Sequence, residues 1–363
     1  MIYYIFFFLT AIPVALEDKK EITLPTKKNR EITFLGYIFL FFTTLFVGTR
    51  FDVGADYKLY SLNFDNLHSD SFFDLFFSLW SYTARDVGYE FISLVAAKLN
   101  IGFEGVTLIS GFIFSYGLVK FCFTLSRPWL ALLVSIPYVI IVVGMGYMRQ
   151  GIALVFLMWA ISYLIEGRKK EYLILVLLGA LFHKTLAIFL LFPILLFAKS
   201  RLTYIFLVIS LFPIIYIYYL SEVISGFTYN YIELNQQSSG AFVRLLLLSL
   251  SGALYFLFIF SKCYDQIERR LWAYFSIFSF ALLALYFFID ASTAIDRIAL
   301  YLLPLQVFVF SALPDNLLFD KSNKNFIWVF FVITLYLLVM FVWLSFGVHS
   351  VYWMPYQSWI FSP

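Results

Sequence analysis

Residues 129–166 read WLALLVSIPYVIIVVGMGYMRQGIALVFLMWAISYLIE, and between Trp129 and Glu166 the only charge is Arg149. An α-helix rises 1.5 Å per residue, so about 20 apolar residues cross the ~30 Å hydrocarbon core of a bilayer. The stretch therefore predicts two consecutive spans, 129–147 and 150–166, with an arginine standing between them.

The same texture extends over the whole chain. Of 363 residues, 63% are hydrophobic and 13% charged, with a mean hydropathy of +0.89. Soluble domains run to roughly half apolar and a quarter charged. This composition excludes a soluble enzyme, a disordered protein and a nucleic-acid binder. It also excludes a β-barrel, whose strands alternate polar and apolar residues. Apolar runs bounded by charge lie at 1–16, 32–48, 103–126, 129–147, 150–166, 171–182, 185–198, 202–220, 243–260, 271–289, 298–313 and 326–346. They predict an all-α, polytopic integral membrane protein of about 12 transmembrane helices, some of half length. The segment 88–100 carries Glu90 and Lys98 and is short, which suits an interfacial or re-entrant helix. Met1–Leu16 lacks the basic start of a cleaved signal peptide and is expected to stay as the first span. Cys122 and Cys263 cannot build a disulfide framework. With no repeat, linker or low-complexity tract, a single helical domain over 1–363 is expected.

Lys and Arg in short loops stay on the cytoplasmic side. Basic groups at 19–30, 120–127, 168–170, 199–201, 262–270 and 321–324 hold 17 of the 25 basic residues. All fall on one side if twelve spans alternate, which leaves both termini outside. The stretch 171–198 has basic clusters at both ends, so two half-length helices meeting at His183-Lys184 fit better than one span. Non-helical backbone at that depth is tolerated where it faces protein or a water-filled cavity. The outer side then carries loops at about 49–88 and 221–242 and the tail 347–363.

Eight basic residues break the rule: Arg50, Lys58, Arg85, Lys98, Arg149, Lys184, Arg244 and Arg297. Arg50, Arg149, Arg244 and Arg297 each stand at a span end. One such arginine reads as a snorkelling anchor. Four on the disfavoured side read better as convergence on an anion, because the planar guanidinium binds phosphate or carboxylate oxygens in pairs. Asp52, Asp56, Asp86, Glu90, Asp290 and Asp296 lie on the same side, each able to pair with a neighbouring arginine or to act as a base. His183 is open to two readings, proton acceptor or phosphate ligand on one hand and packing histidine on the other. No metal-ligand cluster, Walker loop, GxSxG, HExxH or GxGxxG occurs, and no cofactor is called for.

In order along the chain stand Arg50-x-x-x-Gly54-x-Asp56-Tyr57-x-x-Tyr60, Glu90, Met148-Arg149-Gln150-Gly151-Ile152-Ala153 and Phe182-His183-Lys184-Thr185. Arg244, Asp296-Arg297 and Tyr352-Trp353-Met354-Pro355-Tyr356 follow. This series, from 50 to 356, resembles the EpsG family of bacterial exopolysaccharide and O-antigen clusters, which is similar to the Wzy polymerases. The resemblance implies a multi-pass glycosyltransferase of the bacterial inner membrane, working at the periplasmic face, with an architecture similar to the metal-independent C-type glycosyltransferases. Donor and acceptor would be oligosaccharides linked to undecaprenyl pyrophosphate, within the lipid bilayer and with a separate chain-length regulator as partner. The expected catalytic residues are His183, Asp56, Arg149, Arg244 and Arg297. Arg50, Tyr57, Tyr60, Glu90, Gln150, Lys184, Asp296 and Tyr356 are expected to bind substrate. Two other readings stay open: a ligase delivering finished glycan to a lipid A core, and a transporter or flippase for lipid-linked sugars. A transporter favours mid-span charges and internal repeats.

The 46 Phe, 26 Tyr and 8 Trp are expected mostly as packing and lipid-facing bulk. Tyr57, Tyr60, Tyr89, Tyr147, Tyr229, Tyr231, Trp353 and Tyr356 fall on the outer side, as an aromatic belt or as platforms for sugar rings.

Overall fold

A computed structural model describes residues 1–17, 31–65, 86–197, 238, 240–263, 265–288, 292–317 and 325–361. Among these the chain is helical, with one isolated bridge between Arg50 and Ser358. The helices are α1 (Ile2–Leu16), α2 (Phe34–Gly48), α3 (Tyr57–Asp65), α4 (Val87–Lys98), α5 (Gly102–Cys122), α6 (Pro128–Gly144) and α7 (Met148–Ile165). They continue with α8 (Lys169–Phe182), α9 (Lys184–Phe197), α10 (Ala241–Lys262), α11 (Gln266–Tyr286), α12 (Ser292–Asn316) and α13 (Asn325–Phe346).

Five of them, α5, α7, α10, α12 and α13, are long and apolar enough to cross a membrane. Helices α1, α2, α6 and α9 are apolar but shorter. The exposed faces are themselves apolar, with Phe326, Ile327, Phe330 and Phe341 outward on α13, as contact with lipid requires. The segment 88–100 forms α4, whose 12 residues are too few for a crossing. The span expected at 202–220 lies outside the described residues, as do Arg85, Tyr229, Tyr231, Asp290 and much of both expected outer loops.

The chain groups into two compact units, each assembled from three separated segments. The first comprises Met1–Ile32, Val119–Val139 and Thr228–Ser350. The charges at its helix ends are tied internally. Arg127, just before α6, holds Asp315 near the end of α12 with two bonds of 2.9 and 2.7 Å. Asn325, opening α13, donates to the same carboxylate, and the Trp129 N–H donates to Glu17 after α1. Between the helices Trp272 lies flat on Phe308 at 4.3 Å, and the Gln306 amide donates to the buried Tyr336 hydroxyl at 2.7 Å. Asp265 caps α11 by accepting from the N–H groups of Ile267 and Glu268.

The second unit comprises Thr33–Leu118, Ile140–Phe227 and Val351–Pro363. Here α2 and α5 cross at glycines. A Cβ at Gly111 would come within 2.8 Å of the Gly48 Cα, and the Thr107 hydroxyl donates to the Gly48 carbonyl at 2.7 Å. Small residues at a crossing let backbones approach and let hydroxyls bond across it. Helix α8 ends at Phe182, His183 is extended, and α9 folds back so that the Tyr172 hydroxyl donates to the Phe189 carbonyl at 2.7 Å.

The tail of the second unit closes on its first segment. The Phe51 N–H bonds the Gln357 carbonyl, the Gly54 N–H bonds Tyr352 and the Trp359 N–H bonds Thr49. Tyr356 stacks on Phe46 at 5.1 Å and donates to its carbonyl. The Trp353 indole N–H donates to the Ile141 carbonyl near the end of α6 at 2.8 Å. Its ring lies where a Cβ on Gly146 would be, at 2.5 Å, so glycine is required there.

Candidate functional site

The break between α6 and α7 places Arg149 one residue into α7. Its Nη1 donates to Asp86 Oδ2 at 2.8 Å, and its Nε donates to the Tyr60 hydroxyl at 3.4 Å. The guanidinium also lies 5.3 Å from the centre of the Tyr60 ring. Asp86 directly precedes α4, and the Lys184 backbone N–H at the start of α9 bonds its carboxylate as well. The Lys184 N–H at the start of α9 and the Arg149 side chain from the start of α7 thus meet at the one carboxylate that precedes α4. Burial pushes the Asp86 carboxyl above the usual carboxylate range, against the pull of Arg149 and Lys184. The Asp86 side chain is 12% exposed and that of Arg149 is 37%, so the acid is covered while the guanidinium keeps an open side. By contrast the Arg127–Asp315 pair is 7% and 8% exposed and is sealed.

His183 ends α8 in extended conformation, and its Nδ1 is 2.6 Å from the Thr185 hydroxyl. That contact fixes the ring and directs Nε2 to the other side. The sequence marks Thr185 only as part of the Phe182-His183-Lys184-Thr185 motif.

Tyr57 and Tyr60 stand three residues apart on α3, hence on one face. They pack with Phe64, Tyr89, Phe103 and Met148, and the Tyr60 and Tyr89 rings are 5.2 Å apart. Arg50 is 1% exposed, with Tyr57, Tyr89, Tyr356 and Tyr60 as its electrostatic neighbours. Its Nη1 donates to the Val47 carbonyl. Asp56 precedes α3, and its carbonyl accepts the Tyr60 N–H at 3.0 Å. Glu90 lies in the first turn of α4, half-buried. Gln150, beside Arg149, is 2% exposed and points into the packing.

The first unit holds a second arginine centre. Arg244 on α10 bonds both oxygens of Asp296 on α12, Nε to Oδ1 at 2.8 Å and Nη2 to Oδ2 at 2.7 Å. Ser238 accepts from Arg244 Nη2 at 2.7 Å and donates to Asp296 Oδ2 at 3.0 Å. The Tyr138 ring lies 5.6 Å from the guanidinium, and Arg244, Asp296 and Tyr138 line a small cavity with Leu248, Ala299, Leu300 and Leu303. Arg297 follows Asp296 on α12 and is half-buried.

Within the second unit the structure therefore gathers Arg149, Tyr60 and Lys184 around Asp86, and Arg50, Tyr57 and Tyr356 beside the same tyrosines. Within the first it joins Arg244 to Asp296. Sequence adjacency pointed Asp296 to Arg297, whereas the ion pair found reaches 52 positions to Arg244; Asp86 pairs with Arg149 63 positions away, and Arg85 lies outside the described residues. Ser238 and Tyr138 carried no sequence signal, being an ordinary serine and an aromatic in an apolar run. The sugar-platform alternative for Trp353 is corrected: the ring is 1% exposed and its N–H is used inside the protein. Among the described residues no group of three or more His, Cys, Asp or Glu side chains could hold a metal ion.

Compared with known families, the chain matches the EpsG family over residues 33–358. No curated protein and no solved structure matches it significantly.

Proposed function

Because the chain belongs to the EpsG family, we propose that it is a membrane glycan polymerase that extends lipid-linked oligosaccharides. Membership of that family suggests a polymerase-type role in exopolysaccharide or O-antigen synthesis. The observation that carries the finer reading is Arg149: a guanidinium oriented by a buried carboxylate, stacked on a phenol and open on one side.

In this reading a sugar hydroxyl of one lipid-linked repeat unit attacks the anomeric carbon of a second glycan. The bond from that carbon to undecaprenyl pyrophosphate breaks as the new glycosidic bond forms, with inversion. The departing pyrophosphate takes the bond's electron pair, and arginine neutralises the charge that develops on it. Arg149 in the second unit, and Arg244 and Arg297 in the first, are each candidates for that role. Asp86 and Asp296 hold the forks of Arg149 and Arg244 in one orientation, so little is lost in ordering them at the moment of reaction. The hydroxyl proton passes to His183, whose Nδ1 is anchored by Thr185, with Asp56 as the alternative acceptor. The reaction belongs at the periplasmic face of the inner membrane, the side on which these arginines break the charge rule.

The test is purified protein with lipid-linked repeat units, scored by product length. Wild type should yield a polymer ladder, while Arg149→Ala and Arg244→Ala should leave single repeats. Unchanged ladders in both variants overturn the assignment. Transfer only onto a lipid A core acceptor identifies a ligase, and movement of substrate across vesicles without new bonds identifies a flippase.

A further inference from the structure

Two arginines, Arg127 and Arg244, use the same edge of the guanidinium to hold a carboxylate, and a third, Arg50, stands apart. In Arg127 the Nε and Nη2 groups bond the two oxygens of Asp315. In Arg244 the same two nitrogens bond the two oxygens of Asp296. These N–H groups lie side by side in the plane of the fork and match two oxygens of one carboxylate or phosphoryl group. In Arg50 both nitrogens are buried and meet no hydrogen-bond acceptor among the described residues.

Among the described residues no carboxylate forms an ion pair with Arg50 of the kind its two counterparts have. Its electrostatic neighbours are the phenols of Tyr57, Tyr89, Tyr356 and Tyr60. Tyr89 contributes a third polar atom of the same sort, since its hydroxyl is buried and meets no hydrogen-bond partner among the described residues. That hydroxyl is near enough to feel both Arg50 and Arg149. A buried cation whose donors lack acceptors is among the costliest arrangements in a folded chain, because the desolvation of each group is left uncompensated. A chain that merely needed to fill this space would do better with an uncharged side chain of similar length.

We propose that the Nε/Nη2 edge of Arg50, together with the Tyr89 hydroxyl, is a binding site for a two-oxygen anion, a carboxylate or a phosphoryl group. Tyr57, Tyr60 and Tyr356 wall the site with rings that suit the apolar face of a sugar. The carboxylate form is an acidic sugar of the repeat unit, and the phosphoryl form is the lipid-borne pyrophosphate. The choice of natural ligand rests on the polymerase reading, whereas anion binding at Arg50 does not. With the side chain 1% exposed, entry requires one of the covering rings to turn aside.

The experiment uses the full chain purified in detergent. Sodium pyrophosphate and glucuronate serve as phosphoryl and carboxylate probes, with glucose as the neutral control. Affinity is read by calorimetry and unfolding by a thermal scan. For one of the two anions, Arg50→Lys, which keeps the charge but loses the two-toothed edge, should bind at least tenfold more weakly than wild type. Arg50→Gln should abolish that binding and raise the unfolding temperature of the ligand-free protein. Tyr89→Phe should weaken binding severalfold without lowering that temperature. A loss confined to pyrophosphate assigns the phosphoryl source, and a loss confined to glucuronate assigns the acidic sugar. Wild-type affinity for both anions in Arg50→Lys and Arg50→Gln overturns the proposal, as does an equal response to glucose. Polymer assays on the same preparations separate the two claims: anion binding at Arg50 without any polymer made by wild type counts against the polymerase reading alone.

Discussion

The hydroxyl oxygens of Thr49 and Ser358 lie 2.8 Å apart across 309 positions of chain. Around them the segment after α2 and the tail exchange main-chain bonds, so the motif that starts at Arg50 and the motif that ends at Tyr356 form one structure.

Trp353 secures that structure through both volume and a hydrogen bond, and two substitutions separate them. Trp353→Ala empties a buried site and should cost ~3–5 kcal/mol. Trp353→Phe keeps most of the ring but loses the bond to the Ile141 carbonyl, at a cost of ~0.5–1.5 kcal/mol. Chemical unfolding in detergent checks the order; equal stability of wild type and Trp353→Phe would show that the bond is idle.

Two glycines should fail for opposite reasons. Gly111 has room for no Cβ, since one would sit 2.8 Å from Gly48. Gly167 has nothing within 4 Å but a φ of +79°. Gly111→Ala and Gly111→Asn should both lose ~1–3 kcal/mol by overpacking. Gly167→Ala should lose ~1–2 kcal/mol by strain, and Gly167→Asn less, because asparagine tolerates the left-handed region. Thermal scans of the four variants test this, and a Gly111→Asn as mild as Gly167→Asn contradicts it.

The sealed Arg127–Asp315 pair should behave as a buried ion pair. Asp315→Ala leaves Arg127 uncompensated and should lose ~3–5 kcal/mol, whereas Arg127→Met combined with Asp315→Leu should recover most of that loss. A double-mutant cycle on unfolding free energies measures it, and additive losses rule out the pairing.

Glu17 gives stability a pH dependence. Burial pushes its carboxyl up to about 7 from the usual 4.5, against the Trp129 N–H and the Arg127 charge. The folded chain therefore holds this proton more tightly than the unfolded chain. The stability this contributes is complete below pH 4.5 and is lost as pH rises to about 7. Glu17→Gln should flatten the unfolding midpoint over that window. A slope that survives the substitution assigns the effect to another group.

Helices were legible where apolar runs meet charge or proline: Pro128 opens α6, and the pause around Arg149 is where α7 begins. The break at His183 was legible because basic clusters flank both arms of 171–198. Partner choice was not. Neighbours in sequence drew Asp296 towards Arg297, but a helix directs adjacent side chains some 100° apart, and the partner found is Arg244 on another helix. The burial of Trp353 was hidden for a related reason, as an aromatic near a chain end reads as interfacial until the groove that receives it is known. Arg50 was legible as a charge in an odd place, whereas its unused edge shows only beside Arg127 and Arg244.

The docking of residues 351–361 sets an order of events during synthesis. Residues 33–118 and 140–197 leave the ribosome early, yet the groove at Thr49–Gly54 and the open end of α6 are completed only by the last stretch described. Until translation has passed residue 361, nascent chains carry the Arg50 loop unsealed while the whole of 228–350 is still being made. A stalled or prematurely terminated product would therefore present that loop, and a membrane protease that senses unsealed polar backbone would have a means of telling unfinished copies from finished ones.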